Sequence, residues 1–363
     1  MLSVFSAPGR YVQGTDATQS LGAELKNLGF DGPALIVASN NAQRLLSATW
    51  RATLSHSGIS YMIHSFGGEC SVEEILKIQS SAAGASCNVI IGAGGGKVID
   101  AARAAAAALN IAFVSTPTLA SSDAPCSALS VVYNLDGSVS EYRIHRRNPD
   151  LVLVDTSIIA NAPERLIVAG MGDALATWFE ARTCAAGKVK NMRGGASTRS
   201  ALALAELCYK TLLTDGIPAI QSIRQKKPND SLERLIEANT LLSGLGFESS
   251  GLAAAHAVHN GLTVMPQTHE YYHGEKVAFG VITQLVLEGA PKYEMTEVLQ
   301  FARNVGLPTN LRGLGIINPT ARDLLAIGER TCAPGETIHN EPFAVEPSMI
   351  ADAIAMADSI GSA

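Results

Sequence analysis

Four of the eight histidines in this chain lie between residues 256 and 273. His256 and His259 are three residues apart, which places both side chains on one face of a helix. A catalytic zinc ion takes three protein ligands from His, Asp or Glu and keeps one position open for water or substrate. Asp173, within an Ala/Leu-rich run, is a candidate carboxylate ligand, although an aspartate before such a run also suits a helix N-cap. The spacing alone does not establish whether Asp173 meets the histidines.

Residues 269–273 (HEYYH) match HExxH, the zinc metalloprotease signature. That chemistry needs both histidines on one face of a stable helix, with the glutamate as general base. Here the motif follows Pro266 and meets Gly274 at once, a context that disfavours a long helix. A zinc protease is therefore an alternative from a different reaction class, and it would give His269 a metal role.

A glycine-rich turn, Gly94, Gly95 and Gly96 followed by Lys97, comes after an apolar run and opens an Ala-rich segment. Glycine lets a backbone approach a phosphate closely, and a helix N-terminus offers free N–H groups. The turn fits neither the P-loop nor the GxGxxG fingerprint, because Ile91, Val98 and Lys97 stand where those templates need other residues. A tight turn without a ligand is the alternative, but the flanking strand and helix favour phosphate binding with Lys97 as charge partner.

Short apolar runs alternate with helical patterns in the first part of the chain. Strands are predicted at 34–38, 60–64, 88–92, 112–115 and 151–154, with helices at 42–56, 71–81 and 97–109. That order predicts a parallel sheet covered by helices. Residues 129–144 interrupt it as a hairpin that turns at Leu135, Asp136 and Gly137.

Helical patterns dominate after residue 163. They include 200–213, predicted to stop at Asp215 and Gly216, then 232–242 and 277–287. We therefore predict an α/β N-terminal Rossmann-like dinucleotide-binding domain in residues 1–163. An all-helical C-terminal domain that binds metal and substrate is predicted in residues 164–363.

The composition, with 47% apolar and 17% charged residues, is that of a globular protein. A net charge of −6 with scattered Lys and Arg argues against a nucleic-acid partner. Residues 1–14 lack the pattern of a signal peptide, and the most apolar stretch, 101–120, is interrupted by Arg103 and Pro117. Six widely spaced cysteines without CxxC indicate free thiols. We expect a cytoplasmic protein with no membrane partner.

Five segments in this order resemble those of glycerol dehydrogenases, in the iron- and zinc-dependent group III alcohol dehydrogenase superfamily. They are 94–97 (GGGK), 121–130 (SSDAPCSALS), 172–180 (GDALATWFE), 251–262 (GLAAAHAVHNGL) and 272–277 (YHGEKV). The resemblance covers nearly the whole chain, and it implies the two-domain fold predicted above.

The resemblance also implies that Asp173, His256 and His273 bind zinc and that His269 does not. Iron-dependent relatives use a further histidine four residues after the aspartate, and Thr177 at that position favours the three-ligand zinc form. Asp123 is implied as a substrate contact and joins the three ligands in the catalytic set. The role of His259 stays open between an outer contact to a ligand and a pocket residue.

The implied cofactor is NAD. The resemblance implies that it is bound by the glycine turn and by the segment that follows the next strand, although that segment can also be an ordinary Ser/Pro loop. The residues are Ser39, Gly94, Gly95, Gly96, Lys97, Asp100, Thr118, Ser121, Ser127, Leu129 and Tyr133. Many members carry an acid where Ser39 stands, and a carboxylate there would bond the adenosine ribose and repel a 2′-phosphate. NAD is therefore the default, without strict exclusion of NADP.

The implied activity is the zinc-dependent, NAD-linked oxidation of glycerol, and of other short vicinal diols, at C2 to dihydroxyacetone. The implied assembly is a homo-oligomer, with an octamer as one candidate. Alternatives of the same fold act on another alcohol or on a cyclic polyol phosphate, as dehydroquinate synthase does. A non-catalytic binding protein would need a broken zinc site.

Overall fold

The computed structural model describes residues 1–134 and 137–363, so the predicted hairpin tip at Leu135 and Asp136 lies outside the described residues. The chain divides into two compact units. A sheet unit comprises Ser6–Ala162 and Ser222–Gly244, and a helical unit comprises Met1–Phe5, Pro163–Gln221 and Leu245–Ala363. The division thus differs from a single boundary at residue 163.

Glu233, in the segment Ser222–Gly244, is hydrogen-bonded to earlier residues of the sheet unit. Its carboxylate accepts from Gln13 Nε2 at 2.9 Å and from Thr156 Oγ1 at 2.6 Å. Helical periodicity identifies such a segment as a helix, but it does not say on which unit the helix packs.

The main sheet of the sheet unit consists of β1 Tyr11–Gly14, β2 Ala34–Ala38, β3 Tyr61–Ser65, β4 Val89–Gly94, β5 Ala112–Pro117 and β8 Leu151–Asp155. These six strands are all parallel and lie in the order β1-β8-β5-β4-β2-β3. The strands β2, β4, β5 and β8 are buried at every position, as expected for a parallel sheet with both faces covered. This confirms the predicted fold class. The strands β6 Leu129–Tyr133 and β7 Val139–Ile144 form the predicted antiparallel pair.

The helices of the first part of the chain follow the strands in turn. They are α1 Leu21–Asn27, α2 Asn40–His56, α3 Val72–Gly84, α4 Gly96–Leu109 and α5 Thr156–Ala160. Serine side chains cap two of them, because Ser39 accepts from Ala42 N and Ser71 accepts from Glu74 N. The N-cap of α4 is Gly95, which offers no side-chain cap.

The later helices begin at residue 164, and the helical domain type is as predicted. They are α6 Glu164–Gly187, α7 Arg199–Gln225, α8 Asp230–Glu237, α9 Ser243–Ser250, α10 Ala254–Leu262, α11 His273–Leu287, α12 Lys292–Val305, α13 Ala321–Thr331 and α14 Pro347–Ser362. A π-helical turn, Ala238–Leu242, connects α8 to α9. No helix among the described residues is long and apolar enough to cross a membrane.

The predicted end of a helix at Asp215 and Gly216 is wrong, because α7 continues through Gly216 and Pro218 to Gln225. A Cβ on Gly216 would lie 3.1 Å from the Phe301 ring, so this glycine serves a close tertiary contact. Packing here overrides the local preference of glycine for a helix end.

Candidate active site

Three helices of the helical unit carry the predicted metal ligands. Asp173 lies in the middle of α6, His256 in the first turn of α10, and His273 is the first residue of α11. Glycines let these helices approach closely. A Cβ on Gly274 would lie 1.8 Å from the carbonyl oxygen of Ala169. The contact between α6 and α11 therefore depends on glycine, and it places His273 beside Asp173.

The ligand atoms of Asp173, His256 and His273 all lie within 4.8 Å of one another. Asp173 Oδ1 is 3.0 Å from His273 Nε2 and 3.5 Å from His256 Nε2. The Asp173 side chain is 2% exposed, whereas that of His273 is 43% exposed, so the cluster is open to solvent on the histidine side. Two imidazole nitrogens and one carboxylate oxygen are a donor set that suits Zn²⁺ or Fe²⁺.

Asp173 and His256 each shift the pKa of the other. Burial disfavours the Asp173 carboxylate, but His273 and His256 outweigh it and hold the pKa of Asp173 well below its ordinary value. Burial likewise acts to lower the pKa of His256, while Glu180 and Asp173 raise it, and the pKa is well above its ordinary value. A divalent cation would displace the protons that these groups share, since metal ligands bind in their deprotonated forms.

Each of the two histidines beside Asp173 has a partner for its second ring nitrogen. Glu180 Oε2 is 2.6 Å from His256 Nδ1, and Glu180 is fully buried. His259 Nε2 is 3.0 Å from His273 Nδ1. Partners of this kind fix which nitrogen of a histidine faces the metal, and here Nε2 of both histidines faces Asp173. His259 thus contacts His273, and its role at a metal stays a prediction.

His269 lies apart from the cluster. It belongs to a 3-10 segment, Pro266–Glu270, and α11 begins only at His273. Its Nε2 is 3.0 Å from the carbonyl oxygen of Thr263. The two histidines of the HExxH pattern are therefore not on one helix, which removes the geometry that a zinc protease needs.

The predicted cofactor residues lie in the sheet unit, after the carboxyl ends of β2, β4 and β5. Ser39 follows β2, and Gly94, Gly95 and Gly96 form the passage from β4 to α4. Carboxyl ends of neighbouring parallel strands meet at one edge of a sheet, where such folds bind ligands. A Cβ on Gly94 would lie 2.7 Å from Val98 Cγ2, so the turn needs glycine there.

Lys97 has partners at this edge. Its Nζ is 2.6 Å from Glu69 Oε2 and 5.0 Å from the centre of the Tyr133 ring. A phosphate that approaches Lys97 would therefore compete with the Glu69 carboxylate. Tyr133 and Lys97, which were predicted in different parts of the cofactor site, are in contact.

Asp100 is buried and holds the segment after β5 in place. Its carboxylate accepts from Arg103 Nη1 at 2.7 Å and from Val131 N at 3.1 Å, while Arg103 donates to the carbonyl oxygens of Ala124 and Leu129. Burial raises the pKa of Asp100 to about 6, against the opposing effect of Arg103. These contacts support a structural role for Asp100, and a cofactor contact stays a prediction.

The segment itself carries the remaining predicted residues. Thr118 N donates to the carbonyl oxygen of Gly94 at 3.0 Å, which ties the segment to the glycine turn. Asp123 Oδ2 accepts from Ser243 Oγ at 2.8 Å. Thr118 and Ser127 are buried, Leu129 begins β6, and Ser121 is partly exposed. Their contacts with a cofactor stay predictions.

Sequence reasoning missed the roles of Glu180, Glu69 and Arg103. A signal for Glu180 was available, because Asp173 and Glu180 are seven residues apart and so share one face of α6. No local signal pointed to Glu69, since it meets Lys97 from 28 residues away.

Comparisons with known proteins identify the family of this chain. The model of the family "Iron-containing alcohol dehydrogenase" matches residues 8–156. The chain is 48% identical to a glycerol dehydrogenase of Escherichia coli O6:H1 over 99% of this chain and 97% of that one. It is 45% identical to a glycolaldehyde reductase of Halobacterium salinarum over 99% of this chain and 98% of that one.

A solved structure is also similar over the whole chain. The glycerol dehydrogenase of Schizosaccharomyces pombe superposes with a TM-score of 0.95 at 38% identity, covering 99% of this chain and 91% of that one. Such identity along the full length decides the family. The chain belongs to the iron-containing alcohol dehydrogenases, as an oxidoreductase of the glycerol dehydrogenase type.

Proposed function

We propose that this chain is a zinc-dependent enzyme that oxidises glycerol at C2 to dihydroxyacetone with NAD. The observation that carries the proposal is the convergence of Asp173, His256 and His273, with both histidines presenting Nε2. A catalytic metal site of this type has three protein ligands and an open position. The exposure of the His273 side chain is consistent with access for a small polyol.

Each group of residues in the site has a separate role in the proposed reaction. Asp173, His256 and His273 would hold a divalent ion, which would supply Lewis acidity that lowers the pKa of an alcohol, and bound NAD would supply the hydride acceptor. Glu180 and His259 hold the ligand histidines in orientation. Asp123, held by Ser243, is the proposed contact to a substrate hydroxyl. The proton that the alcohol loses leaves through Asp123 or through water.

Zinc is the proposed metal because Thr177 stands one helical turn after Asp173, where iron-dependent relatives supply a further histidine. Thr177 is buried on α6 and offers a hydroxyl in place of an imidazole. The donor set itself also suits Fe²⁺, so the choice between zinc and iron rests on the resemblance at this position.

NAD is the proposed cofactor, and Gly94, Gly95 and Gly96 are its proposed phosphate contacts. Support comes from the uncapped N-terminus of α4, a 14-residue helix, where free N–H groups and the helix dipole favour an anion. Lys97 adds a positive charge at the same edge. Ser39 puts no negative charge at the ribose position, so some use of NADP is expected.

A second substrate class is favoured by one specific relative. The 45% identical protein of Halobacterium salinarum is a glycolaldehyde reductase. Reduction of a short 2-hydroxy aldehyde by NADH is the reverse of diol oxidation and would use the same ligands. Assembly into a homo-oligomer stays a prediction, which sedimentation of the purified protein tests.

The test is NADH formation by the purified protein with glycerol and NAD, before and after treatment with a chelator. Turnover that the chelator abolishes and that Zn²⁺ restores better than Fe²⁺ supports the proposal. Restoration by Fe²⁺ alone would overturn the choice of zinc. If the protein consumes NADH with glycolaldehyde faster than it produces NADH with any diol, the preferred substrate is a short aldehyde.

A further inference from the structure

Hydrogen bonds connect His273 with the surface of the helical unit through three further side chains. His273 Nδ1 is 3.0 Å from His259 Nε2, and His259 Nδ1 is 3.0 Å from Asn260 Oδ1. Asn260 Nδ2 donates to Glu336 Oε2 at 2.8 Å. Glu336 Oε1 in turn accepts from Arg330 Nη1. We name the side chains of His259, Asn260 and Glu336 the outer chain.

The helices that carry the outer chain are held close together. His259 and Asn260 lie on α10, Arg330 lies on α13, and Glu336 follows α13. A Cβ on Gly261 would lie 2.1 Å from Thr331 Oγ1 and 2.7 Å from the carbonyl oxygen of Ile327. The distance between α10 and α13 is therefore fixed beside the outer chain. The Glu336 side chain is 11% exposed, so its bonds to Asn260 and Arg330 are shielded from water.

The direction of each bond follows from the carboxylate at the end. A carboxylate paired with arginine only accepts, so Asn260 must turn its NH₂ to Glu336 and its oxygen to His259. His259 Nδ1 must then carry the hydrogen, and His259 Nε2 accepts from His273 Nδ1. Each hydrogen in this series points away from the cluster. When a cation displaces the proton between His273 Nε2 and Asp173 Oδ1, this arrangement leaves the Nε2 lone pair available to the metal.

We propose that Glu336, acting through Asn260 and His259, is a positioning residue that selects the tautomer in which His273 binds the metal. The proposal rests on the proposed function, because it assumes that a metal binds at Asp173, His256 and His273. The buried carboxylate of Glu180 fixes the same tautomer of His256, because it accepts the hydrogen on His256 Nδ1. The two ligand histidines are thus set by separate carboxylates.

The variant Glu336→Gln should reverse the donor–acceptor direction of the hydrogen bonds that connect residue 336 with His273 through the outer chain. Because Arg330 only donates, the amide oxygen turns to Arg330 and the amide NH₂ turns to Asn260. Asn260 then flips, His259 takes its hydrogen on Nε2, and His273 carries its hydrogen on Nε2, where it blocks the metal. We expect the Zn²⁺ dissociation constant to rise about 10-fold, since loss of outer partners typically costs 10- to 100-fold.

A second substitution, at Asn260, should restore the original direction of the hydrogen bonds from His273 to His259 and from His259 to residue 260. In the double variant Asn260→Asp with Glu336→Gln, the new carboxylate accepts from His259 Nδ1 and also from the new amide. The Zn²⁺ dissociation constant should return to within about threefold of the wild-type value. A residual difference of that size is expected because the effects of two substitutions rarely cancel completely. Glu329→Gln, an exposed position beside Arg330 on α13, is the matched control for loss of one negative charge.

The experiment measures Zn²⁺ affinity by competition with a chromogenic chelator and the visible absorption of the Co²⁺-loaded proteins. The expected result is weak binding and an altered Co²⁺ spectrum for Glu336→Gln, with both restored in the double variant and unchanged in Glu329→Gln. Equal affinity and spectra for wild type and Glu336→Gln would overturn the proposal. A double variant that binds no better than the single one would also overturn it.

The same measurements separate this proposal from the proposed function. A wild-type protein that binds Zn²⁺ and oxidises glycerol, with a Glu336→Gln variant that binds equally well, contradicts the tautomer proposal alone. A wild-type protein that binds neither Zn²⁺ nor Co²⁺ contradicts both. If Glu336→Gln does not fold, as judged by circular dichroism, the double variant decides the outcome, because its outer chain keeps every hydrogen bond.

Discussion

Glu180 and His256 are joined by two hydrogen bonds, one to the imidazole and one to the backbone. Glu180 Oε2 is 2.6 Å from His256 Nδ1, and Glu180 Oε1 accepts from His256 N at 2.9 Å. Glu180 Oε1 also accepts from Ala253 N at 2.8 Å, so one carboxylate both caps α10 and orients the imidazole of His256.

We therefore predict that Glu180→Gln lowers metal affinity by about 10- to 100-fold. The glutamine oxygen can replace Oε1 at the two backbone N–H groups, but its NH₂ then faces His256 Nδ1 and forces the hydrogen onto Nε2. Chelator competition measures the loss. Glu206→Gln, a partly exposed position on α7, is the control, and equal affinity of both variants would show that the His256 tautomer does not depend on Glu180.

Two histidine substitutions should separate the metal cluster from the HExxH pattern. His256→Ala should abolish zinc binding and glycerol oxidation while the fold persists, because a ligand is lost from the cluster. His269→Ala should spare both, since His269 contacts the Thr263 carbonyl and not the ligands. Zinc content and circular dichroism check the pair. Zinc lost from His269→Ala but kept by His256→Ala would contradict the ligand assignment.

The glycine contact between α6 and α11 should be intolerant of a methyl group. Gly274→Ala puts a Cβ 1.8 Å from Ala169 O and 2.8 Å from Asp173 N, so α11 must move away from α6. We expect a loss of about 1–3 kcal/mol in the free energy of unfolding, together with weaker metal binding. Gly84→Ala, where a Cβ meets nothing within 4 Å, is the control and should be neutral. Urea titration measures both variants, and equal midpoints would contradict this account of the contact.

Glu341 should make stability depend on pH. Burial raises its pKa from 4.5 to about 8, with a further contribution from Glu288. Between these two values the unfolded chain has released the proton and the folded chain has kept it. Since the folded state then binds more protons, the free energy of unfolding falls as pH rises through this window, and the contribution is lost above about pH 8.

The variant Glu341→Gln keeps the uncharged form at every pH. The melting temperature of the wild type should therefore fall more steeply than that of the variant between about pH 5 and about pH 9. Thermal melts of metal-free protein at matched ionic strength measure the difference. Parallel curves for the two proteins would mean that Glu341 does not ionise in this range.

Ser39 should control the choice between NAD and NADP. Asp at this position can keep the cap on α2, because aspartate is as good an N-cap as serine, and it adds a charge that repels a 2′-phosphate. We expect Ser39→Asp to raise the ratio of kcat/KM for NAD over NADP by about 10-fold or more, since like-charge contacts cost several kcal/mol. Ser47→Asp, about two helix turns further into α2, is the control. An unchanged ratio would place the adenosine ribose elsewhere.

The fold class and most of the helices and strands could be predicted from the sequence. The strand predicted at 34–38 coincides with β2, and the helix predicted at 97–109 differs from α4 by one residue. Both successes have one physical cause, because continuous apolar runs and helical periodicity report how a segment is buried. Motif order also pointed to Asp173, His256 and His273, although spacing did not show that they meet.

The surroundings of those three residues could not be predicted, because they depend on contacts between distant parts of the chain. In the structure, α7 continues past Gly216, and the segment Ser222–Gly244 lies in the sheet unit. His269 lies in a 3-10 segment that ends before the helix of His273 begins. Glu336 bonds Asn260 from 76 residues away. Periodicity is a local property of the chain, whereas a close glycine contact or a histidine tautomer depends on which distant group arrives in space. The sequence could therefore point to the residues of the cluster, whereas their orientation depends on the packing of α6, α10, α11 and α13.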